Sequence, residues 1–470
     1  MTQKFTSDIV IGLEIHVQLD SKTKLFCGCP TRPKPGVQEE PNTRICPICL
    51  GHPGSKPTAN KEAIEMGLRL ALALNCSVSS RLIFSRKSYF YPDMSKNYQI
   101  SQYEEPLGRE GSLELDNKTI GITRVHLEED PAALIHSGSC VLVDYNRSGN
   151  PLMEIVTDPT IGSPDEAREF MRRLLSILEY LKVYDIDWGI LKADANISVR
   201  ESSYTRVEIK NITGFKEIER ALDYECARQK QACQEAQKII AETRGWDAEK
   251  GYTYSMREKE SEEDYGYIID PDLVAITITQ DRIEKAKASL PELSQAKAKR
   301  FQAIGVKQED AKVIAADQSI AILFEEVSKK VEPGLAAKWI RRELMRVLNF
   351  AKRSLEDSNI KPHHMVDLLT LVHEKRITDQ TAQKLMERLV EKPFDIKDVV
   401  EQESLAKVSD DSLLTDACKQ AIAQSPQAVL DYHAGEEKAL NFIVGKVMAA
   451  TKGKADPAIV KKLMIGLLKV

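Results

Sequence analysis

Glu14 and His16 stand two residues apart in IVIGLEIHVQL, Ile9 to Leu19, and Gln18 continues the spacing. In an extended strand these three share one face, while Leu13, Ile15, Val17 and Leu19 share the other. A carboxylate, an imidazole and an amide converging on one volume suit a hard cation or a metal-bound phosphate. The same alternation also describes a half-exposed edge strand without chemistry.

Two later segments add acids. VHLEEDP, Val125 to Pro131, holds three in a row, which repel one another unless a cation or solvent lies beside them. Alternation groups His126, Glu128 and Asp130 on one face and leaves Glu129 with Leu127 on the other. A Glu facing an otherwise apolar side is the odder of the two, and the more informative. In DYNRSGNPLMEIV, Asp144 to Val156, a turn at Ser148-Gly149-Asn150-Pro151 precedes a short apolar strand interrupted by Glu154, a carboxylate that needs a partner if buried. Glu14, His16, Glu129 and Glu154 could together ligate magnesium.

Four of the nine cysteines crowd near the start as Cys27-x-Cys29 and Cys46-x-x-Cys49. Two short cysteine pairs joined by a loop are the usual plan of a closed tetrahedral zinc site, and four thiolates leave no open position, so this zinc would be structural. His52 is a spare candidate ligand; four reduced, unliganded thiols are the alternative. In SRKSYFYPDMSKNYQISQYEEP, Tyr89, Phe90, Tyr91, Tyr98 and Tyr103 cluster with Arg86, Lys87, Asp93 and Lys96. Rings and cations mixed without a period suit a phosphate-binding wall, or equally tyrosines anchoring a loop at a sheet rim.

The elements that must carry these residues are legible in outline. Residues 60–75 have Ile64, Leu68, Ala71 and Leu72 at helical spacing. Ser163-Pro164-Asp165-Glu166 reads as a capping box before a helix with Phe170, Leu174, Leu178 and Leu181 on its buried stripe. ILKADANISVR and TRVEIKNITGF read as a hairpin that puts Arg206, Glu208 and Lys210 on one face and Asp194 with Asn196 on another. A helix is expected over about 216–243. Beyond Pro291 the chain turns to helix formers, with Trp339, Leu344, Val347 and Leu348, then Met365, Leu368, Leu369 and Val372, as core stripes. The polar stretch 401–412 looks like a linker.

At 470 residues the chain calls for two or three domains. A formal charge of -5 argues against indiscriminate coating of nucleic acid, yet residues 438–470 carry lysines 438, 446, 452, 454, 461, 462 and 469 against Asp456 alone. That basic end is the candidate polyanion contact, or else a solvated helical face. The start, MTQKFTSDIV, has no apolar leader and no run could span a bilayer, so a cytoplasmic location is expected. There is no P-loop, no G-x-G-x-x-G, no G-x-S-x-G and no H-E-x-x-H.

Taken together, GLEIHVQL, the paired cysteines, RKSYFYPDMSKNYQISQ, GITRVHLEEDP, VDYNRSGNPLMEIV, DANISVR, RVEIKN and NFIVGKVMAATKGKADP resemble the B subunits of the tRNA-dependent glutamyl/aspartyl amidotransferases, from the first strand to the tail. The resemblance implies an α+β fold. Residues 1–290 would form a catalytic cradle with a mixed or antiparallel sheet and a zinc-binding insertion at 27–49. An all-α domain at 291–405 and a small helical tail at 406–470 would contact tRNA, with Lys446, Lys452, Lys454, Lys461 and Lys462 as the tail's candidates. It implies ATP- and magnesium-dependent phosphorylation of the acyl carboxylate of misacylated Glu-tRNA(Gln) or Asp-tRNA(Asn). Ammonia would come from an amidase A subunit in a heterotrimer with a small C subunit, and no membrane is involved. It places the metal at Glu14, His16, Glu129 and Glu154, favouring Glu129 over Glu128, with Lys87 on phosphate and Tyr91 and Asp194 in the pocket. Two stretches depart from the family pattern: residues 187–193, and DYGYIIDPDL, where Gly266 stands in place of an Arg. The rival readings are a noncatalytic, zinc-stapled tRNA scaffold and a stand-alone magnesium phosphohydrolase.

Overall fold

The alternating segment Ile9–Gln18 is a strand, β1, whose apolar side chains Leu13, Ile15 and Val17 are at most 1% exposed while Glu14 and His16 keep partial access. The remaining strands are β2 (Ser77–Val78), β3 (Arg81–Leu82), β4 (Ser85–Ser88), β5 (Tyr98–Ser101), β6 (Gly108–Glu114), β7 (Thr119–Glu129), β8 (Ala133–Ser137), β9 (Cys140–Asp144), β10 (Pro151–Thr157), β11 (Leu191–Val199), β12 (Val207–Thr213), β13 (Glu242–Asp247), β14 (Tyr252–Glu258), β15 (Gly266–Ile269) and β16 (Ile276–Thr277). This computed structural model describes residues 7–258, 266–403, 405, 411–434, 436–451, 455 and 457–468.

Nine strands form one sheet in the order β14-β13-β12-β11-β1-β10-β7-β6-β2, with β1 at its centre. Neighbouring strands in it run antiparallel except β12 and β13, which are parallel. A second sheet, β15-β4-β5, carries the aromatic and cationic segment. On the apolar side of the large sheet, Leu13, Ile15, Leu127, Met153, Ile155, Ala195 and Ile197 join one core with residues of three helices. These are α1 (Lys61–Ala73), α2 (Pro164–Leu181) and α3 (Phe215–Gln234). Burying one face of a sheet under helices leaves the other face for polar work.

Local rules explain the helix starts. Asn60 caps α1 by accepting from the N–H groups of Glu62 and Ala63. At α2 the Ser163 hydroxyl accepts from the Glu166 N–H at 3.2 Å, with Pro164 in the first turn. The returning Glu166 carboxylate takes the N–H of Gly162 at 2.7 Å rather than that of Ser163, so the expected capping box closes one residue early.

The helix expected to reach about 243 stops at Gln234, and Ala236 turns with φ +57. ETRGWD then forms β13, parallel to β12. A buried polar network holds it there: Glu225, fully covered, accepts from Arg228, Gln229 and Thr253, while Arg244 holds Glu242 at 2.6 Å and Thr243 Oγ1 donates to Glu208 at 2.9 Å. No hydrophobic period announces such a strand, since its partners are polar.

The chain divides into two compact units, Met1–Leu293 and Ser294–Val470. The second unit is helical where described. Trp339, Leu344, Val347, Leu348, Met365, Leu368 and Leu369 lie in one core, and Leu414, Cys418, Leu440, Ile443, Val447, Val460 and Met464 in another. The sheet-rich first unit followed by helices is the expected α+β arrangement. Residues 404 and 406–410 of the expected linker lie outside the described residues. No described helix is long and apolar enough to cross a membrane.

Candidate active site

Strand register assembles the site. Glu154 on β10 lies opposite His16 on β1 and opposite His126 on β7, and His16 also faces Lys192 on β11. One row of the sheet thus reads His126, Glu154, His16, Lys192. Directly opposed residues point to the same face, so these groups meet on the polar side. One step along, Glu14 is opposite Asp194. Together they floor a cleft of about 460 Å³, also lined by Lys87, Tyr89, Gln102 and Tyr267.

His16 Nε2 lies 3.3 Å from Glu128 and 3.5 Å from Glu154, and His126 Nε2 lies 3.1 Å from Glu154. Donor atoms of His16, Glu128 and Glu154 all fall within 4.8 Å of one another. Burial alone would lower both imidazoles. Hydrogen bonds to and charge on Glu128 and Glu154 outweigh it, holding His16 well above its usual range and His126 at about 9. Burial would raise the two carboxyls in turn. The imidazoles prevail, bringing Glu128 to about 2 and Glu154 well below the usual value. The two imidazolium groups therefore stand where a cation is wanted. Two carboxylates and an imidazole open to a cleft are a donor set that accepts a divalent ion, with water filling the remaining positions.

Glu129, expected as the fourth ligand, is not brought to this group. It points to the other side of β7, where it is 5% exposed, takes Lys96 Nζ at 2.7 Å and accepts the Ile100 N–H at 2.8 Å. Glu128 stands in the group instead, because alternation keeps it on the face of His126. Glu14 lies on the same floor but in a neighbouring group: Asn196 donates to it at 3.0 Å, and Lys210 bridges Asp194 at 2.9 Å and Glu208 at 3.3 Å. Burial, then the charges of Glu154, Glu208 and Asp194, raise Glu14. Burial would lower Lys210, but Asp194 and Glu208 keep it raised.

Lys87 lines the cleft from β4, across from Tyr267 on β15. Tyr91 does not line it. It is 48% exposed and stacks on Tyr89, which does, with ring centroids 5.9 Å apart. Gly266 opens β15 opposite Ser88, and a Cβ there would meet Ser88 at an ordinary 3.8 Å. Of the other departing stretch, Ile190 and Lys192 line the cleft while Trp188 is 58% exposed.

Sequence alone did not single out Glu128, His126, Glu208, Lys210, Asp130 or Gln102 as site residues, although alternation had already put His126, Glu128 and Asp130 on one face. Burial pushes Asp130 up to about 6 against the pull of Arg147 and Lys192.

The four cysteine sulfurs also lie within 4.8 Å of one another, and those of Cys46 and Cys49 are 3.9 Å apart. A tetrahedral Zn–S distance of about 2.3 Å requires sulfurs about 3.8 Å apart, so the cage fits zinc. The Cys27 thiol donating to Cys49 brings Cys49 down to about 4, and Lys24, wholly buried, adds to the effect. His52 is not a member of the group.

Residues 9–284 match the family described as the GatB/GatE catalytic domain, and residues 322–468 match the GatB domain. The B subunit of the aspartyl/glutamyl-tRNA(Asn/Gln) amidotransferase of Thermodesulfovibrio yellowstonii is 42% identical to the chain over 475 residues, covering 98% of this chain and 99% of that protein. The proteins of the same name from Thermotoga maritima and Brevibacillus brevis are 43% and 41% identical, covering 98% and 97% of this chain and 98% of each relative.

Proposed function

The chain belongs to the GatB family of aspartyl/glutamyl-tRNA(Asn/Gln) amidotransferase subunits, and we propose that its cleft activates the acyl carboxylate of Glu-tRNA(Gln) or Asp-tRNA(Asn) with ATP and then amidates it. The observation that carries this reading is the convergence of His16, Glu128 and Glu154 on one cleft floor beside Lys87.

A carboxylate does not accept ammonia until one of its oxygens can leave. Phosphoryl transfer from ATP makes that oxygen part of a phosphate; ammonia then forms the C–N bond, the C–O bond breaks with its electron pair going to phosphate, and the nitrogen gives a proton to water. Bound magnesium would supply charge neutralisation and alignment of the phosphoryl oxygens. His16, Glu128 and Glu154 would hold it, the imidazolium protons giving way. Lys87 is placed to contact phosphate as a point charge. Asp194 shapes the floor through Lys210, and Tyr91 acts on the pocket only through Tyr89. Ammonia comes from a partner amidase A subunit in a complex with a small C subunit, in the cytoplasm. Zinc held by Cys27, Cys29, Cys46 and Cys49 is structural.

We assign catalysis to residues 1–290 and tRNA contact to 291–405 and 406–470. Lys461 and Lys462 are exposed on the helix Pro457–Leu468. Lys446 is engaged locally, with Nζ 3.0 Å from the Gln424 carbonyl and over the Phe442 ring. Lys452 and Lys454 lie outside the described residues. Replacing Lys461 and Lys462 by Glu is expected to weaken tRNA binding and flatten its dependence on salt, read by filter binding from about 50 to 200 mM salt. Unchanged affinity and slope would remove them from the contact.

The reading is tested with the reconstituted complex by following label from the glutamine amide into Glu-tRNA(Gln). ATP-dependent transfer is expected. Complexes that assemble and bind tRNA but transfer nothing would favour the noncatalytic scaffold.

A further inference from the structure

The small sheet β15-β4-β5 turns one of its faces to the cleft. Tyr267, Lys87 and Gln99 are directly opposed across its strands, so they share a face, and all of them line the cleft. Arg86 and Tyr98 alternate to the other face, where the guanidinium lies over the ring at 4.6 Å. Just past β5, Tyr103 joins the cleft lining. Its ring stacks on that of Tyr267, with centroids 4.0 Å apart and planes 16° from parallel. Tyr103 does not anchor the sheet rim. Its hydroxyl makes no hydrogen bond among the described residues, and it stays 51% exposed although one side of the ring lies on Tyr267. A tyrosine placed for packing is covered, and one placed as an anchor uses its hydroxyl. Here a flat aromatic surface is left open to the cleft, and Lys87, opposed to Tyr267, brings a cation to its edge.

We propose that Tyr103, backed by Tyr267, is a stacking platform for the adenine ring of a bound nucleotide, next to Lys87. The proposal rests on the amidotransferase reading. Both nucleotides of that reaction present an adenine: ATP, and the 3′-terminal adenosine that carries the acyl group on tRNA. Stacking uses the π-face of the base and needs no hydrogen bond to its edge. A ring already held against a second ring loses little freedom when the base arrives. The effect therefore falls on nucleotide binding rather than on the exchange of bonds at the acyl carbon.

The test measures equilibrium binding to the reconstituted complex of magnesium-ATP, of inorganic tripolyphosphate, and of tRNA(Gln) with and without its terminal adenosine. Wild type, Y103A and Y103F are compared, and amidation by wild type is followed alongside. Y103A is expected to weaken binding of an adenine-bearing ligand by about 5- to 100-fold. Loss for ATP with tripolyphosphate unchanged identifies the adenine of ATP as the occupant. Loss for intact tRNA, down to the affinity of tRNA lacking the adenosine, identifies the terminal adenosine. Y103F keeps the ring and gives up only an unpartnered hydroxyl, so it should bind as wild type does. Y103A that binds every ligand as wild type does, in a complex that amidates, overturns the platform alone. So does equal weakening by Y103A and Y103F, or weakening for the ligands without adenine as large as for those with it. A wild-type complex that amidates nothing overturns the reading on which the platform rests. Should Y103A fail to fold, Y103L, apolar but without a ring, carries the same comparison with the same outcomes.

Discussion

Replacing Glu154 by Gln is expected to abolish ATP-dependent amidation while the complex still assembles and binds tRNA. Glu154 stands between two imidazoles, 3.1 Å from His126 and 3.5 Å from His16, and belongs to the donor set that converges on the cleft floor. The amide keeps the shape but removes the charge, so the loss should exceed the roughly 10–100-fold that an outer-shell partner is worth. The informative contrast is Glu129→Gln. Glu129 faces Lys96 in a covered site. Its neutralisation leaves a largely buried ammonium unpaired, at a cost of about 3 kcal/mol. That variant should melt earlier yet amidate once folded. The reverse pattern, with Glu129→Gln dead at an unchanged melting temperature and Glu154→Gln active, would return the ligand role to Glu129.

Removal of the four-cysteine cage is expected to reach the active site. Zinc binding to this set should measure one equivalent per chain by metal analysis and vanish in Cys46→Ser. The backbone carbonyl of Cys49 accepts from Ser95 Oγ at 2.9 Å and from Ser148 Oγ at 3.2 Å. Ser95 follows Asp93 and Met94 of the cleft wall, and Ser148 follows Arg147 of the same wall. Without the metal, the loop that contains the cage has few buried apolar contacts to hold it, and metal-binding energy is folding energy for such a segment. Hydrogen exchange should therefore show lost protection over residues 27–54. Amidation should fall by roughly tenfold, the scale seen when support around a site is removed. Zinc loss with full protection and full activity would show that the cage and the cleft are independent.

Much of this was written locally. The pleat of β1, the Ser163 cap, the change to helices after Pro291 and the two cysteine pairs are all set by neighbours a few residues apart, so their patterns survive in the sequence. The grouping of His126, Glu128 and Asp130 against Leu127 and Glu129 was also legible, for the same reason. What it could not show was which of those faces is the working one. The oddness of a Glu on an apolar side suggested Glu129, and the family resemblance agreed. In the fold that Glu is explained by Lys96, 33 residues earlier in the chain.

The composition of the site was decided between strands. Glu14 and His16 are separated from Glu154 by well over a hundred residues, and from Glu208 and Lys210 by more still. They meet because β10 and β11 flank β1 in a particular register. Polar strands such as β13 gave no period to read, since buried ion pairs replace the apolar face that makes one. A strand's period of two fixes which residues travel together. Which strands lie side by side, at what register, and which face is covered depend on packing across the whole sheet, and only the tertiary structure determines them.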